Sequence, residues 1–191
     1  LDVAPSGPTD GTYIASANIQ NIFNLKVTGD GAHTVYVWLR DAAGNVDHTK
    51  RASVIVRYDS IAPGLPASFN SPSHFTGAWS NDPTVDVRWT EASDPLSGVA
   101  GYALVWDQSP ATLPAASITT ASLTDTSLAL AEGSGYYAHL RARDNAGTWT
   151  ATALHLGPFS IDLQAPAAPA ALTVTPASWS TVNQFTLSWT N

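Results

Sequence analysis

The sequence predicts an all-β chain of tandem antiparallel β-sandwich repeats, with the first and last repeats incomplete. Three observations carry this reading. Several segments alternate apolar and polar residues at a period of two, as half-buried strands do. No stretch of useful length shows the helical period. And one strand-plus-turn pattern occurs twice, at Tyr136–Gly147 and at His33–Gly44, with Asp144 and Asp41 lying 103 positions apart.

Two further landmarks set the period. Asp59-Ser-Ile-Ala-Pro63 returns as Asp162-Leu-Gln-Ala-Pro166, again 103 positions on. Trp79-Ser80 with Trp89-Thr90 returns as Trp179-Ser180 with Trp189-Thr190, 100 positions on. A period of about 100 residues is too long for a solenoid repeat and fits one sandwich domain. Three domains follow from it: 1–61, the C-terminal part of one repeat; 62–162, a complete repeat; and 163–191, the first two strands of a third.

In the first segment, strands are expected at Thr12–Ala17, at Phe23–Val27 with Phe23, Leu25 and Val27 on one face, at His33–Arg40 and at Val54–Tyr58. In the middle repeat, Val85, Val87 and Trp89 of Thr84–Trp89 alternate inward against Asp86 and Arg88. Glu91–Gly98, with Asp94-Pro95 and Ser97-Gly98 as breakers, reads as a loop. Tyr102, Leu104 and Trp106 mark the next strand, and a Pro/Ala-rich loop at Ser109–Ala116 leads to Leu128 and Leu130. In Tyr136–Arg143, Tyr136, Ala138, Leu140 and Ala142 are expected inward, with His139, Arg141 and Arg143 outward. Gly157-Pro158 in the last strand predicts a sheet edge, because proline cannot donate to a central ladder.

Composition excludes several functions. The chain is 44% hydrophobic and 12% charged, enough to bury a core and unlike a disordered tail. Its net charge is −7, with only Lys26 and Lys50 as lysines and six dispersed arginines, which argues against nucleic acid and anionic membranes as partners. There is no cysteine, hence no disulfide and no thiolate chemistry. No apolar run approaches the roughly 18 residues of a membrane span, so no membrane insertion is expected. The lack of methionine, with two incomplete outer repeats, predicts a stretch of a longer chain.

An inward Trp on the second strand (Trp89, Trp189), Gly101-Tyr102 opening the third, and a Tyr beginning the sixth strand (Tyr136, with His33 in its place in the first repeat) resemble fibronectin type III. The Asp-x-Ala-Gly turns at Asp41–Asn45 and Asp144–Thr148, with the Asp-x-x-Ala-Pro junctions, are similar to bacterial Ig-like repeats. The resemblance implies seven strands in two sheets, an end-to-end domain array, and an extracellular or cell-surface location. It implies a non-catalytic structural or adhesive role in a cell-surface stalk, filament or envelope component. The alternative it leaves open is a spacer or carbohydrate-binding accessory region of a secreted hydrolase. Partners would be neighbouring repeats and other copies in a surface assembly.

No catalytic constellation stands out: the five histidines form no His-x-x-x-His pair, and Gly-x-Ser-x-Gly is absent. The middle repeat has no lysine, so an isopeptide crosslink lacks its amine. Two candidate binding sites remain, with no cofactor otherwise expected. Asp59 of the junction, Glu91 and Asp94 of one loop and Asp144 of another fall at the same pole of such a sandwich, where converging oxygens suit Ca²⁺. The plainer reading is that Asp94 and Asp144 only brace their turns. Tyr36, Trp38 and Trp149 are candidates for stacking on a glycan, against the plainer reading that they pack on the sheet face.

Overall fold

The computed structural model of the chain describes residues 1–16 and 19–190. These residues form eleven strands and no helix. β1 (Gly31–Val37) and β2 (Ala52–Tyr58) make an antiparallel pair running from Gly31 opposite Tyr58 to Val37 opposite Ala52. β10 (Ala170–Thr175) and β11 (Thr186–Thr190) make another.

Between them lie seven strands in two sheets. β3 (Phe69–Asn70), β5 (Asp86–Trp89) and β7 (Thr124–Thr126) form one sheet, in the order β3-β5-β7. β4 (Trp79–Ser80), β6 (Val99–Asp107), β8 (Gly133–Asp144) and β9 (Leu154–Ile161) form the other, in the order β4-β9-β8-β6. All pairings are antiparallel except that of β4 with β9. Inward residues of both sheets meet in one cluster: Val85, Val87 and Trp89 on one side, and Tyr102, Leu104, Ala138, Leu140, Ala142 and Phe159 on the other. The indole of Trp89 stands edge-on between the two sheets, 5.5 Å from the Tyr102 ring and 6.0 Å from that of Phe69. Such T-shaped contacts add to the area the rings bury. The middle segment is therefore a β-sandwich whose core follows the period-two pattern, with Asp86 and Arg88 exposed as their alternation requires.

Several details depart from the sequence expectations. Of Thr12–Ala17, the described residues Thr12–Ser16 are irregular and Ala17 lies outside the described set. Phe23–Val27 is not a strand either, and Phe23 is 80% exposed. Alternation at these places is not matched by a neighbouring strand to pair with. The strand of the β7 region sits at Thr124–Thr126, before Leu128, which projects into solvent, while Leu130 packs on the core. Trp189 is on β11 as expected but is 56% exposed, because no second sheet faces that hairpin among the described residues.

Two corrections fall in the four-stranded sheet. His139, expected outward, is fully buried, roofed by Tyr137, Asp107 and His155. Pro158 does not mark a free edge, because β4 pairs beyond it at Ser160 and Ile161. Its missing N–H is accommodated by a bulge instead: Tyr136 and Ala138 of β8 oppose Phe159 and Leu156, so β9 carries an extra residue at Gly157-Pro158. Gly157 is needed there, because a Cβ would fall 2.6 Å from the Tyr136 carbonyl oxygen.

Candidate functional site

Three local structures meet at one pole of the sandwich. The first is the loop between β5 and β6, which carries Asp94. The Asp94 Oδ1 accepts hydrogen bonds from the N–H groups of Leu96 (2.9 Å) and Ser97 (3.1 Å), an Asx-type turn that closes the loop. The second is the turn after β8. There the Asp144 Oδ1 accepts from Gly147 N–H (2.6 Å) and Thr148 N–H (2.7 Å). Asn145 ties the two together: its backbone N–H donates to the Gly98 carbonyl at 2.9 Å and its amide to the Ser97 carbonyl at 2.9 Å. The third is the segment leaving β2, where Asp59 Oδ1 accepts from Ile61 N–H (3.0 Å) and Oδ2 from Ser97 N–H (3.2 Å).

These contacts bring Asp59, Asp94 and Asp144 into one group, each offering an oxygen within 4.8 Å of the others. Glu91 is not in it; it is exposed and lines a separate shallow cleft with Asp94, Pro95 and Gly98. Ser97 is the main reason the Asp59 carboxyl is held below its usual range, with the Ile61 N–H adding to it and partial burial opposing. The Ser97 hydroxyl lies alongside without meeting hydrogen-bond geometry. A cleft of about 400 Å³ opens beside the group, with Gly31, Arg57 and Tyr58 on one wall and Leu96, Ser97 and Asn145 on the other.

The electrostatics of the group are unbalanced. The ion pairs among the described residues are His33–Asp2, Lys50–Asp47 and His139–Asp107, none involving these three carboxylates. Asp144 is 0% exposed, and its Oδ2 has no hydrogen-bond partner among the described residues. The same holds for Asp94 Oδ2 and for the Ser97 hydroxyl. Each loop aspartate thus uses one oxygen to brace its turn and leaves the other buried and unpaired, an arrangement that costs free energy unless something meets it.

The aromatic candidates do not converge. The Arg51 guanidinium lies 5.4 Å from the Tyr36 ring centroid, and that of Arg141 lies 4.9 Å from the Trp149 centroid, so each ring already has a cation over it. Trp38 sits half-buried just past β1, its ring 3.3 Å from where a Cβ on Gly11 would lie.

One cluster was not legible in the sequence. His139 Nδ1 lies 2.6 Å from His155 Nδ1, and His139 Nε2 lies 3.1 Å from Asp107 Oδ1. The β8–β9 pairing puts His139 opposite His155, and residue spacing alone does not reveal it. Neither cleft described above touches this chain of polar groups. No family model matches the chain, and no curated protein matches it.

Proposed function

We propose that this chain is a non-catalytic structural or adhesive module of a large extracellular repeat protein, built of fibronectin type III-like or Ig-like sandwiches and serving as a stalk, filament or envelope component. One observation carries the reading: the Asp turn and the Asp-x-x-Ala-Pro junction recur together at 103 positions. Both copies of the turn close alike, with Asp41 N–H donating to the Asn45 carbonyl and Asp144 N–H to that of Thr148, each at 3.0 Å. A recurring turn next to a recurring junction is what an end-to-end array needs, because it fixes how each unit meets the next. The sequence holds neither a His-x-x-x-His pair nor Gly-x-Ser-x-Gly, which supports a non-catalytic role. The arginine-covered aromatics favour a structural role over glycan capture.

The reading is tested by small-angle scattering on the purified chain together with a panel of polysaccharide and peptide substrates. An elongated particle with no turnover is expected. A compact particle, or hydrolysis of any substrate that survives repurification, overturns it.

A further inference from the structure

We propose that Asp59, Asp94 and Asp144 bind a calcium ion that fastens the segment leaving β2 to the pole of the middle sandwich. The site itself stands on geometry alone; only its use as a stiffener rests on the stalk reading above.

Four observations converge on it. Three carboxylates offer oxygens within 4.8 Å of one another, and no cationic side chain pairs with them among the described residues. Asp144 is wholly buried, with one oxygen fully engaged in its turn and the other unpartnered in the same group. Asp94 repeats that division, and a buried Ser97 hydroxyl adds a third unpartnered oxygen beside them. Finally, the three carboxylates come from three separate chain segments, so whatever holds them also holds those segments together.

The other copy of the turn is an internal control. Asp41 stands in it where Asp144 stands in the second, and Asn45 where Thr148 stands. Asn45 donates its backbone N–H to Asp41 Oδ1 and its side-chain amide to Asp41 Oδ2, both at 2.7 Å. Both oxygens of Asp41 are therefore satisfied within the turn. Thr148 has no amide to offer, and Asp144 Oδ2 is left without its partner. A turn that needs only bracing has the first arrangement; the second keeps a buried anionic oxygen available.

The donor set selects the ion. It consists of oxygens alone, which suit a hard cation rather than zinc or copper. Oxygens around Ca²⁺ at about 2.3–2.6 Å lie on a sphere about 4.6–5.2 Å across, and a set confined to 4.8 Å fits it. Mg²⁺ demands near-ideal octahedral geometry and several retained waters, which a set drawn from three separate chain segments supplies less readily. Three carboxylates offering one oxygen each give three of the roughly six to eight oxygens Ca²⁺ takes, leaving the Ser97 hydroxyl and water for the rest.

The experiment is calorimetric titration of the full chain, stripped with chelator, with CaCl₂ and separately with MgCl₂, followed by thermal melts in chelator and in excess calcium. One calcium per chain is expected, with weaker magnesium binding and a higher Tm in calcium. Asp59→Asn is expected to weaken calcium by on the order of tenfold to a hundredfold while leaving the Tm in chelator unchanged, since Asp59 is not part of the sandwich core. Thr148→Asn, which copies the first turn, should occupy Asp144 Oδ2 and abolish binding without unfolding the chain. It serves in place of Asp144→Asn should that variant fail to fold. No heat and no Tm change with millimolar calcium would overturn the site, as would calcium binding undiminished in both Asp59→Asn and Thr148→Asn. Calcium binding that leaves the scattering profile unchanged overturns the stiffening role. An elongated, inactive chain that ignores calcium sinks this proposal and spares the stalk reading.

Discussion

His139 and His155 face each other across β8 and β9 with their Nδ1 atoms 2.6 Å apart, so the two rings share one proton between them. Two Nδ1–H groups cannot point at each other, and a second proton on this contact has no acceptor. His139 is wholly buried, with Nε2 against Asp107; His155 is open on its outer side but turned inward at Nδ1.

The first prediction is a pH dependence of stability. Desolvation lowers the His155 pKa below its ordinary 6.5, with the charge on His139 acting the same way and Asp107 opposing. A group whose folded pKa is depressed binds fewer protons folded than unfolded, so its stabilising effect is full above about 6.5 and is lost as pH falls through the lowered value. The urea midpoint is expected to drop between pH 7 and pH 5, and the drop should shrink in His155→Gln. His33 has the opposite sign: its hydrogen bond to Asp2 raises its pKa, so its contribution is present below about 6.5 and fades as pH rises through the raised value. A slope unchanged in His155→Gln would assign the dependence elsewhere.

The second prediction concerns the core. Leu140 is wholly buried at the centre of β8, and Leu128 is 89% exposed. Leu140→Ala is expected to cost about 2–5 kcal/mol by loss of burial and a residual cavity. Leu128→Ala should lie within about 0.5 kcal/mol of the parent. Urea denaturation of the two variants checks both, and equal costs would mean that the two sheets do not pack as described.

These contrasts show what the residues carried and what they did not. The alternation of Val85, Val87 and Trp89 is enough to place them inside, because a strand with one buried face has no other way to satisfy period two. Asp94 and Asp144 were legible as turn residues from their breakers, and their meeting with Asp59 follows once the loops after β5 and β8 share a pole. The burial of His139 was not legible. An outward position on a strand is open only if nothing covers that face, and what covers it here are side chains from β6, β8 and β9 that strand pairing brings together across the sheet. Phe23–Val27 failed for the converse reason, since alternation makes a strand only where a partner supplies its hydrogen bonds.

The third prediction tests the bulge at Gly157-Pro158. Gly157 has φ +152, and an added Cβ would meet the Tyr136 carbonyl oxygen at 2.6 Å and the Tyr137 ring at 2.7 Å. The obstructing carbonyl is backbone held in the β8 ladder, so it cannot swing aside as a side-chain tip would. Gly157→Ala is expected to destabilise by about 1–3 kcal/mol. Gly77→Ala, also at positive φ but with open space around it, should cost less, from backbone strain alone. A Gly157→Ala variant as stable as the parent would show that β9 can shift its register.

The fourth prediction separates packing from sugar binding at Trp149. Its ring lies under the Arg141 guanidinium at 4.9 Å, and Arg141 is itself fixed by donating to the Pro114 carbonyl at 3.0 Å. A ring already covered by a held cation has little free face for a sugar, whereas it contributes to stability through cation–π attraction and the area it buries. Trp149→Ala is expected to lower stability by about 1–2 kcal/mol, and Trp149→Phe by less, because a smaller aromatic keeps part of the contact. Trp38→Ala together with Trp149→Ala should leave a glycan-array profile no different from that of the parent chain. Glycan binding present in the parent and lost in the double variant, with its stability intact, would place sugar recognition on these aromatics and return the chain to the class of carbohydrate-binding accessory regions.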